Sequence, residues 1–283
     1  MVKKWVNNLS NTRVIALSFL IVILVGSTLL CFPFSSANKE WTPVINALFT
    51  ATSATCVTGL VVYDTFTHWS LFGQVVIILM IQIGGIGLMT IISMFAIFAK
   101  KKIGLHERTI LMQSSGNMSI SGIVKLVKRI VIGTCIFEGI GAIILSFSFI
   151  PRMGFWEGLY NGIFHSISAF CNAGFDIMGK YQPFSSFTGY ETNAVVSITI
   201  AMLIVIGGIG FLVWDDMLKN KLNFKEYSLH SKIVLITTVA LITLGTLGYY
   251  VFEADGNLIG LTTRQKILSS FFFLELSKYT MLL

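Results

Sequence analysis

Charged side chains are scarce in this sequence. They make up 12% of its 283 residues, about half of what a soluble domain uses to solvate its surface. Hydrophobic residues make up 54%, and the mean hydropathy is +0.80. Most of the surface must therefore face something other than water, which excludes an ordinary soluble globular domain. Chemistry-bearing motifs are missing as well. Cys31, Cys56, Cys135 and Cys171 form neither a CxxC pair nor a Cys/His metal spacing. His68, His106, His165 and His230 are scattered and read as ordinary surface or interface residues. Without a Ser/His/Asp set, a Walker loop or a zinc signature, neither an enzyme nor a resident metal or covalently bound cofactor has residues to rest on.

What the sequence does contain is long apolar runs. Val14 to Phe34, Trp69 to Ala99, Ile130 to Ile150, Thr192 to Trp214 and Ile233 to Phe252 have the roughly 20-residue length of a membrane-crossing helix. Only Glu138 interrupts the third of them. Five spans are predicted, each helical because backbone groups in lipid must satisfy one another within the segment. The first run follows Lys3 and Lys4, as a signal peptide would, but it exceeds the roughly 7–15 residues of a signal core. It is expected to stay as a span.

The net charge of +7 could point to nucleic acid. Its distribution points elsewhere. Fourteen of the 20 Lys and Arg lie in segments 1–13, 99–129 and 215–232, leaving the intervening loops poor in both. By the positive-inside rule, the N-terminus and both basic loops are cytoplasmic, so the charge reports topology and no nucleic-acid partner is expected.

Two segments repeat. Ile83-Gly84-Gly85-Ile86-Gly87 recurs as Ile206-Gly207-Gly208-Ile209-Gly210. Upstream of each lies a short apolar stretch closing on small residues, Ala54-Thr55-Cys56-Val57-Thr58-Gly59-Leu60 and Ala169-Phe170-Cys171-Asn172-Ala173-Gly174-Phe175. Gly59 and Gly174 are 115 residues apart, and Gly84 and Gly207 are 123 apart, so the second unit has the longer outer loop. The short segments near 43–54 and 156–169 cannot cross a core about 30 Å thick at about 1.5 Å per residue. Each is predicted to be a half-length helix that dips in and leaves by an extended turn, the first starting at Thr42 as N-cap with Pro43 at its first position. Charge gives the same answer independently, since a crossing segment 43–54 would place Lys100–Lys102 outside. Both units run in one orientation, which argues against an inverted-repeat transporter.

A turn of this kind can coordinate a cation. Its carbonyls, freed from helix bonding, can replace a hydration shell, and the half-helix aims its partly negative C-terminal end at the same place. Thr55-Cys56-Val57-Thr58-Gly59 is similar to the filter loop of potassium channels, with one Gly in place of a Gly-Tyr-Gly ending. Phe49 to Gly87 resembles the first repeat of the Trk/Ktr/HKT potassium transporters, in particular the membrane subunit of bacterial Ktr systems, and Ser168 to Phe175 resembles their second filter loop. The resemblance covers about residues 1–270. It implies an all-α integral membrane fold of helix–pore loop–helix (M1-P-M2) units: one in 1–103, a linker and a second in 104–225, and an incomplete third in 226–283. It also implies a multi-pass protein of the bacterial plasma membrane, a homodimer, and a cytoplasmic ring of nucleotide-binding regulatory subunits. Potassium is then the transported ion and sodium an activator. The expected filter positions are Cys56, Val57, Thr58 and Gly59, with Cys171, Asn172, Ala173 and Gly174.

Other positions carry two readings each. Gly84, Gly85, Gly87, Gly207, Gly208 and Gly210 serve either close helix packing or a hinge. Asp64 and Asp176 either draw cations to the outer mouth or are solvated loop acids. Glu138 either braces a filter from behind or pairs with Arg129 or a hydroxyl. Lys100–Lys102 read as a stop-transfer anchor, and the resemblance implies that 103–123, with His106, Glu107 and Arg108, docks the regulatory ring. A third unit begins at Ile233–Phe252 and Thr262–Phe272, but no glycine follows Gly260, and Phe273 to Leu283 lacks the third filter that the resemblance requires. A frameshift or premature stop would read this way. The functional expectation is thus a pore-forming subunit for potassium or another monovalent cation, the alternative being a truncated, non-conducting fragment of one.

Overall fold

The computed structural model describes residues 11–87, 90, 91, 109, 123–180, 182–190, 193–221, 223–253, 256, 262, 263 and 265–271. Among them every regular element is helical, apart from one isolated bridge between Ser36 and Trp69. Lys3, Lys4, His106, most of the 103–123 segment, Lys100–Lys102 and Phe273–Leu283 lie outside the described residues.

The elements fall into two matched sets. The first comprises α1 (Asn11–Cys31), α2 (Val44–Cys56), the single turn α3 (Thr65–His68) and α4 (Leu71–Ile86). The second comprises α5 (Ile123–Met153), α6 (Phe155–Phe170) and α7 (Ala194–Gly208), followed by α8 (Phe211–Asn220) and α9 (Leu229–Phe252). Within each set the long helix, the short helix and the returning helix pack on one another, and α4 against α6 joins the sets. Side-chain oxygens cap the returning helices: Ser70 accepts from the Gly73 amide, and Asn193 from the Val195 and Val196 amides.

Small residues set the packing distance. Ala47, Ala51 and Ala54 recur on one face of α2 and are fully buried. A Cβ on Gly26 of α1 would sit 2.0 Å from Met80 Sδ, and one on Gly141 of α5 would sit 2.7 Å from Leu203 Cδ1. Gly26 and Gly141 share the 115-residue offset, Met80 and Leu203 the 123-residue offset. Such close approach is how helices associate where lipid is as apolar as the side chains. One cluster including Leu30, Ile77, Ile81, Phe149, Phe164 and Phe175 runs through both sets.

Two of the five expected spans are not single straight helices. Among the described residues, three helices are long and apolar enough to cross a membrane: residues 12–31, 124–153 and 229–252. Within the expected run Trp69–Ala99, α4 ends at Ile86 with Gly87 as its C-cap, whose φ is +87°. The expected run Thr192–Trp214 bends by 91° between α7 and α8, where Gly210 has φ +88°. These positive-φ conformations cost glycine little and other residues more, so the last glycine of each Ile-Gly-Gly-Ile-Gly sits at a helix break, Gly87 as the C-cap of α4 and Gly210 as the N-cap of α8. Trp214 Nε1 donates to the Ile206 carbonyl at 3.0 Å, satisfying an acceptor freed by the second break. The first short helix also begins one residue late. Pro43 is its N-cap, while Thr42 Oγ1 turns to His68 Nε2 at 3.3 Å.

Two groups of basic residues meet at one end of the molecule. Arg129 on α5 pairs with Asp215 of α8 at 2.5 Å, and Lys219 pairs with the same carboxylate. That contact settles one open reading: Arg129 is not the partner of Glu138.

Candidate functional site

Each short helix ends in a turn of the same shape. Val57 and Asn172 both have φ +58°, and Gly59 and Gly174 have φ +78° and +75°. In each turn the amide of the intervening residue reaches back to a serine carbonyl, Thr58 to Ser53 at 2.9 Å and Ala173 to Ser168 at 2.8 Å. All four pairs keep the 115-residue offset. Left-handed backbone is unusual for a β-branched side chain, so Val57 is held there by its surroundings. Asn172 tolerates the same conformation.

The returning helix lies directly beneath each turn. A Cβ on Gly84 would sit 2.1 Å from the Thr55 carbonyl oxygen, and one on Gly207 would sit 1.8 Å from that of Phe170. A Cβ on Gly85 would sit 2.5 Å from Cys171 Sγ, whereas one on Gly208 would meet only the Asn172 side chain at 3.7 Å. The motif thus divides its labour. Gly84, Gly85 and Gly207 allow close packing, Gly87 ends α4, Gly210 starts α8, and Gly208 is open.

What covers the turns differs. Cys56 and Thr58 are exposed, whereas Cys171 and Ala173 are buried. Thr58 Oγ1 donates to Ser53 Oγ at 2.9 Å, and Ser168 Oγ donates to the Phe175 carbonyl at 2.6 Å.

Outward of the turns, each half ties its descending segment to its short helix. In the first, Asn46 Nδ2 donates to Tyr63 Oη at 2.6 Å, and the Tyr63 ring stacks on His68 with centroids 3.8 Å apart. In the second, His165 Nδ1 lies 2.7 Å from the Asn161 carbonyl, and His165 Nε2 accepts from the Ile177 amide at 3.2 Å. Together these contacts require the neutral ring with its proton on Nδ1. His165 is 0% exposed, which corrects its reading as an ordinary surface or interface residue.

Asp64 is not a solvated loop acid. It is buried, its Oδ1 caps α3 by accepting from the Phe66 and Thr67 amides, and its Oδ2 accepts from the Phe184 amide of the other half at 2.9 Å. Asp176 accepts from the Met178 amide at 3.0 Å. Burial pushes the Asp176 carboxyl up to about 6, and the Asp64 carboxylate adds to the rise against the Met178 hydrogen bond. Glu138 lies between the halves, both its carboxyl oxygens 3.0 Å from Gln82 Nε2.

The eight expected filter positions lie at the ends of the two short helices, Cys56 as the last residue of α2 and Val57–Gly59 and Cys171–Gly174 in the turns that follow α2 and α6. Sequence reasoning missed Gln82, Asn46, Tyr63 and the burial of His165. Gln82 had a usable signal, being with Gln74 one of two polar residues in the otherwise apolar α4.

Among known proteins, the TrkH family, described as cation transport proteins, matches residues 2–269. The potassium/sodium uptake protein NtpJ of Enterococcus hirae is 39% identical over 280 residues, covering 99% of this chain and 61% of that protein. The Ktr system potassium uptake protein B of Bacillus subtilis is 39% identical over 272 residues, covering 95% of this chain and 59% of that one. Its namesake in Vibrio alginolyticus is 36% identical over 263 residues, 92% of this chain and 56% of that one. The chain thus spans 56–61% of the length of these relatives.

Proposed function

The chain belongs to the TrkH family of cation transport proteins, an integral membrane family, and on that premise we propose that its two turns are re-entrant pore loops lining a path for potassium. The ion would be selected by backbone carbonyls of Cys56–Gly59 and Cys171–Gly174. The observation that carries this reading is the matched backbone of the two loops, positive φ at the first and third of residues 57–59 and again of 172–174. A chain whose φ alternates in sign turns successive carbonyls to one side, as a coordinating row requires. The short helices α2 and α6 end at these loops and add the partial negative charge of their C-termini. Neutral carbonyls hold a cation loosely enough to release it. Strain at Val57 fits the same reading, since strained backbone persists where its surroundings over-determine it.

The rest of the assembly follows the same premise. The two complete helix–loop–helix units and an incomplete third divide at about residues 103 and 225, and the N-terminus is cytoplasmic with the basic segments, where Arg129, Asp215 and Lys219 meet. The subunit forms a homodimer and docks a cytoplasmic nucleotide-binding regulatory ring, and sodium acts as an activator. Movement is electrodiffusive, with no covalent step.

The test is rubidium uptake in bacteria stripped of their own potassium-uptake systems and making this chain. Uptake is expected, and Gly59→Ser or Gly174→Ser is expected to reduce it at least about tenfold, because the side chain strains a positive-φ position. Equal uptake by the parent and both variants would place the ion path elsewhere.

A further inference from the structure

We propose that Glu138 is a positioning residue that clamps the second loop to the first half of the molecule, acting through Gln82 and Cys171. The assignment of that loop to the ion path rests on the reading above; the clamp itself rests on contacts.

Glu138 sits within α5, a helix long and apolar enough to cross a membrane, and is 9% exposed. An ionisable group there is costly unless it has a task or a partner. No Lys or Arg among the described residues forms an ion pair with it. Its partners are instead parts of three other segments. Both carboxyl oxygens are 3.0 Å from Gln82 Nε2 on α4. Cys171 Sγ, on the first residue of the loop, lies 3.9 Å from Glu138 Oε1 and 3.9 Å from Gln82 Oε1, within reach of a weak thiol hydrogen bond. The Glu138 backbone carbonyl accepts from Ser166 Oγ of α6 at 2.7 Å. Gly85 removes the remaining slack, since its missing side chain leaves room for the Cys171 sulfur.

The first half has nothing equivalent. The 115-residue offset pairs Glu138 with Ile23 and Cys171 with Cys56, and the 123-residue offset pairs Gln82 with Val205. Where the acid and the amide are both replaced by apolar residues, the cysteine is exposed. A merely structural acid would not explain why the polar pair and the buried cysteine occur together.

The experiment reads the loop directly. In the full chain with Cys31, Cys56 and Cys135 replaced by serine, Cys171 is labelled with N-ethylmaleimide in the membrane. Glu138→Ala and Gln82→Ala are each expected to speed labelling about tenfold, as loss of a buried hydrogen-bonded contact frees the loop to open. Glu138→Gln keeps an acceptor for Gln82 and is expected to label as slowly as the parent. Unchanged labelling in both alanine variants overturns the clamp. Rubidium uptake, measured with sodium as competitor in the otherwise unaltered chain, separates this from the pore reading. Faster labelling with a shifted rubidium-over-sodium preference supports both. Faster labelling with an unchanged preference supports the clamp and removes the loop from the ion path.

Discussion

Val57 and Asn172 occupy the same left-handed backbone position, yet the first is strained there and the second is at ease. Cys56 and Cys171 precede them, the first exposed and the second buried against Gly85. Beneath both turns the first glycine of the repeated Ile-Gly-Gly-Ile-Gly motif touches a carbonyl of its own half, at Thr55 or Phe170. The second glycine does not follow this symmetry: Gly85 supports the loop of the other half, and Gly208 faces open space beside Asn172. The difference separates two kinds of determinant. The backbone of each loop is set within its own half, by the helix end, the positive-φ residues and the carbonyl contact. Its cover is set by a neighbour, and only the second loop has one among the described residues.

The most severe test of that separation is a methyl group. Gly84→Ala and Gly207→Ala would drive a Cβ to 2.1 Å and 1.8 Å from backbone carbonyls, which cannot swing aside as side chains do. Each is expected to cost about 3 kcal/mol or more, read as lost folded protein in size-exclusion profiles or a collapse of the thermal midpoint in detergent. Gly208→Ala, with its nearest neighbour at 3.7 Å, is expected to be nearly silent in the same assay. Equal losses at Gly207 and Gly208 would erase the distinction between the two glycines.

A smaller effect is expected at the outer ends, where the halves exchange a contact. Asp64 gives its carboxylate to three backbone amides, two in its own half and that of Phe184 in the other. Asp64→Ala leaves these donors without their acceptor and is expected to cost about 2 kcal/mol. If the contact joins the halves, proteolysis in the 182–190 segment should rise in the variant. Unaltered cleavage there would mean that the capping of α3 is its whole role.

Much of this architecture was legible beforehand, and the gaps have physical reasons. Short apolar segments were expected near 43–54 and 156–169, and helices occupy 44–56 and 155–170. Length against membrane thickness and a glycine after the run carry that information locally. The helix ends at Ile86 and Gly208 were not anticipated, because hydropathy measures how long a run is and not where it turns. Asp64, Gln82 and His165 acquire their roles from segments many positions away, at Phe184, Glu138 and Ile177, and no local pattern announces such contacts. One long-range clue was present. Aligning the repeats sets Ile23 opposite Glu138, and an acid without a counterpart marks where the halves are not interchangeable.

Asp176 adds a test by pH. Asp176 has its carboxyl pushed up from 3.8 to about 6, chiefly by burial, so the native chain holds a proton that the unfolded chain has lost between those values. For this group, stability is greatest below the lower value and falls as pH rises through the higher one. Asp176→Asn should abolish that fall and stabilise the protein at pH 7 by on the order of 1–2 kcal/mol. Thermal midpoints of parent and variant at pH 4 and pH 7.5 check the sign: the variant's advantage should appear only at the higher pH. A constant advantage would assign the effect to packing.

The smallest expected effect is the most informative about the loops themselves. Exchanging their left-handed residues, Val57→Asn in one variant and Asn172→Val in another, should move stability in opposite directions by about 1 kcal/mol each. The first relieves a β-branched side chain at φ +58°, and the second imposes one. If both shifts appear while rubidium uptake is unchanged, the strain at Val57 is incidental. If Val57→Asn stabilises the fold and weakens discrimination against sodium, the strain holds the first loop's carbonyls where the ion needs them. That outcome would also account for the asymmetry between the halves: the exposed loop is held by a stiff side chain in an unfavourable conformation, while the covered loop is held by Glu138, Gln82 and Gly85.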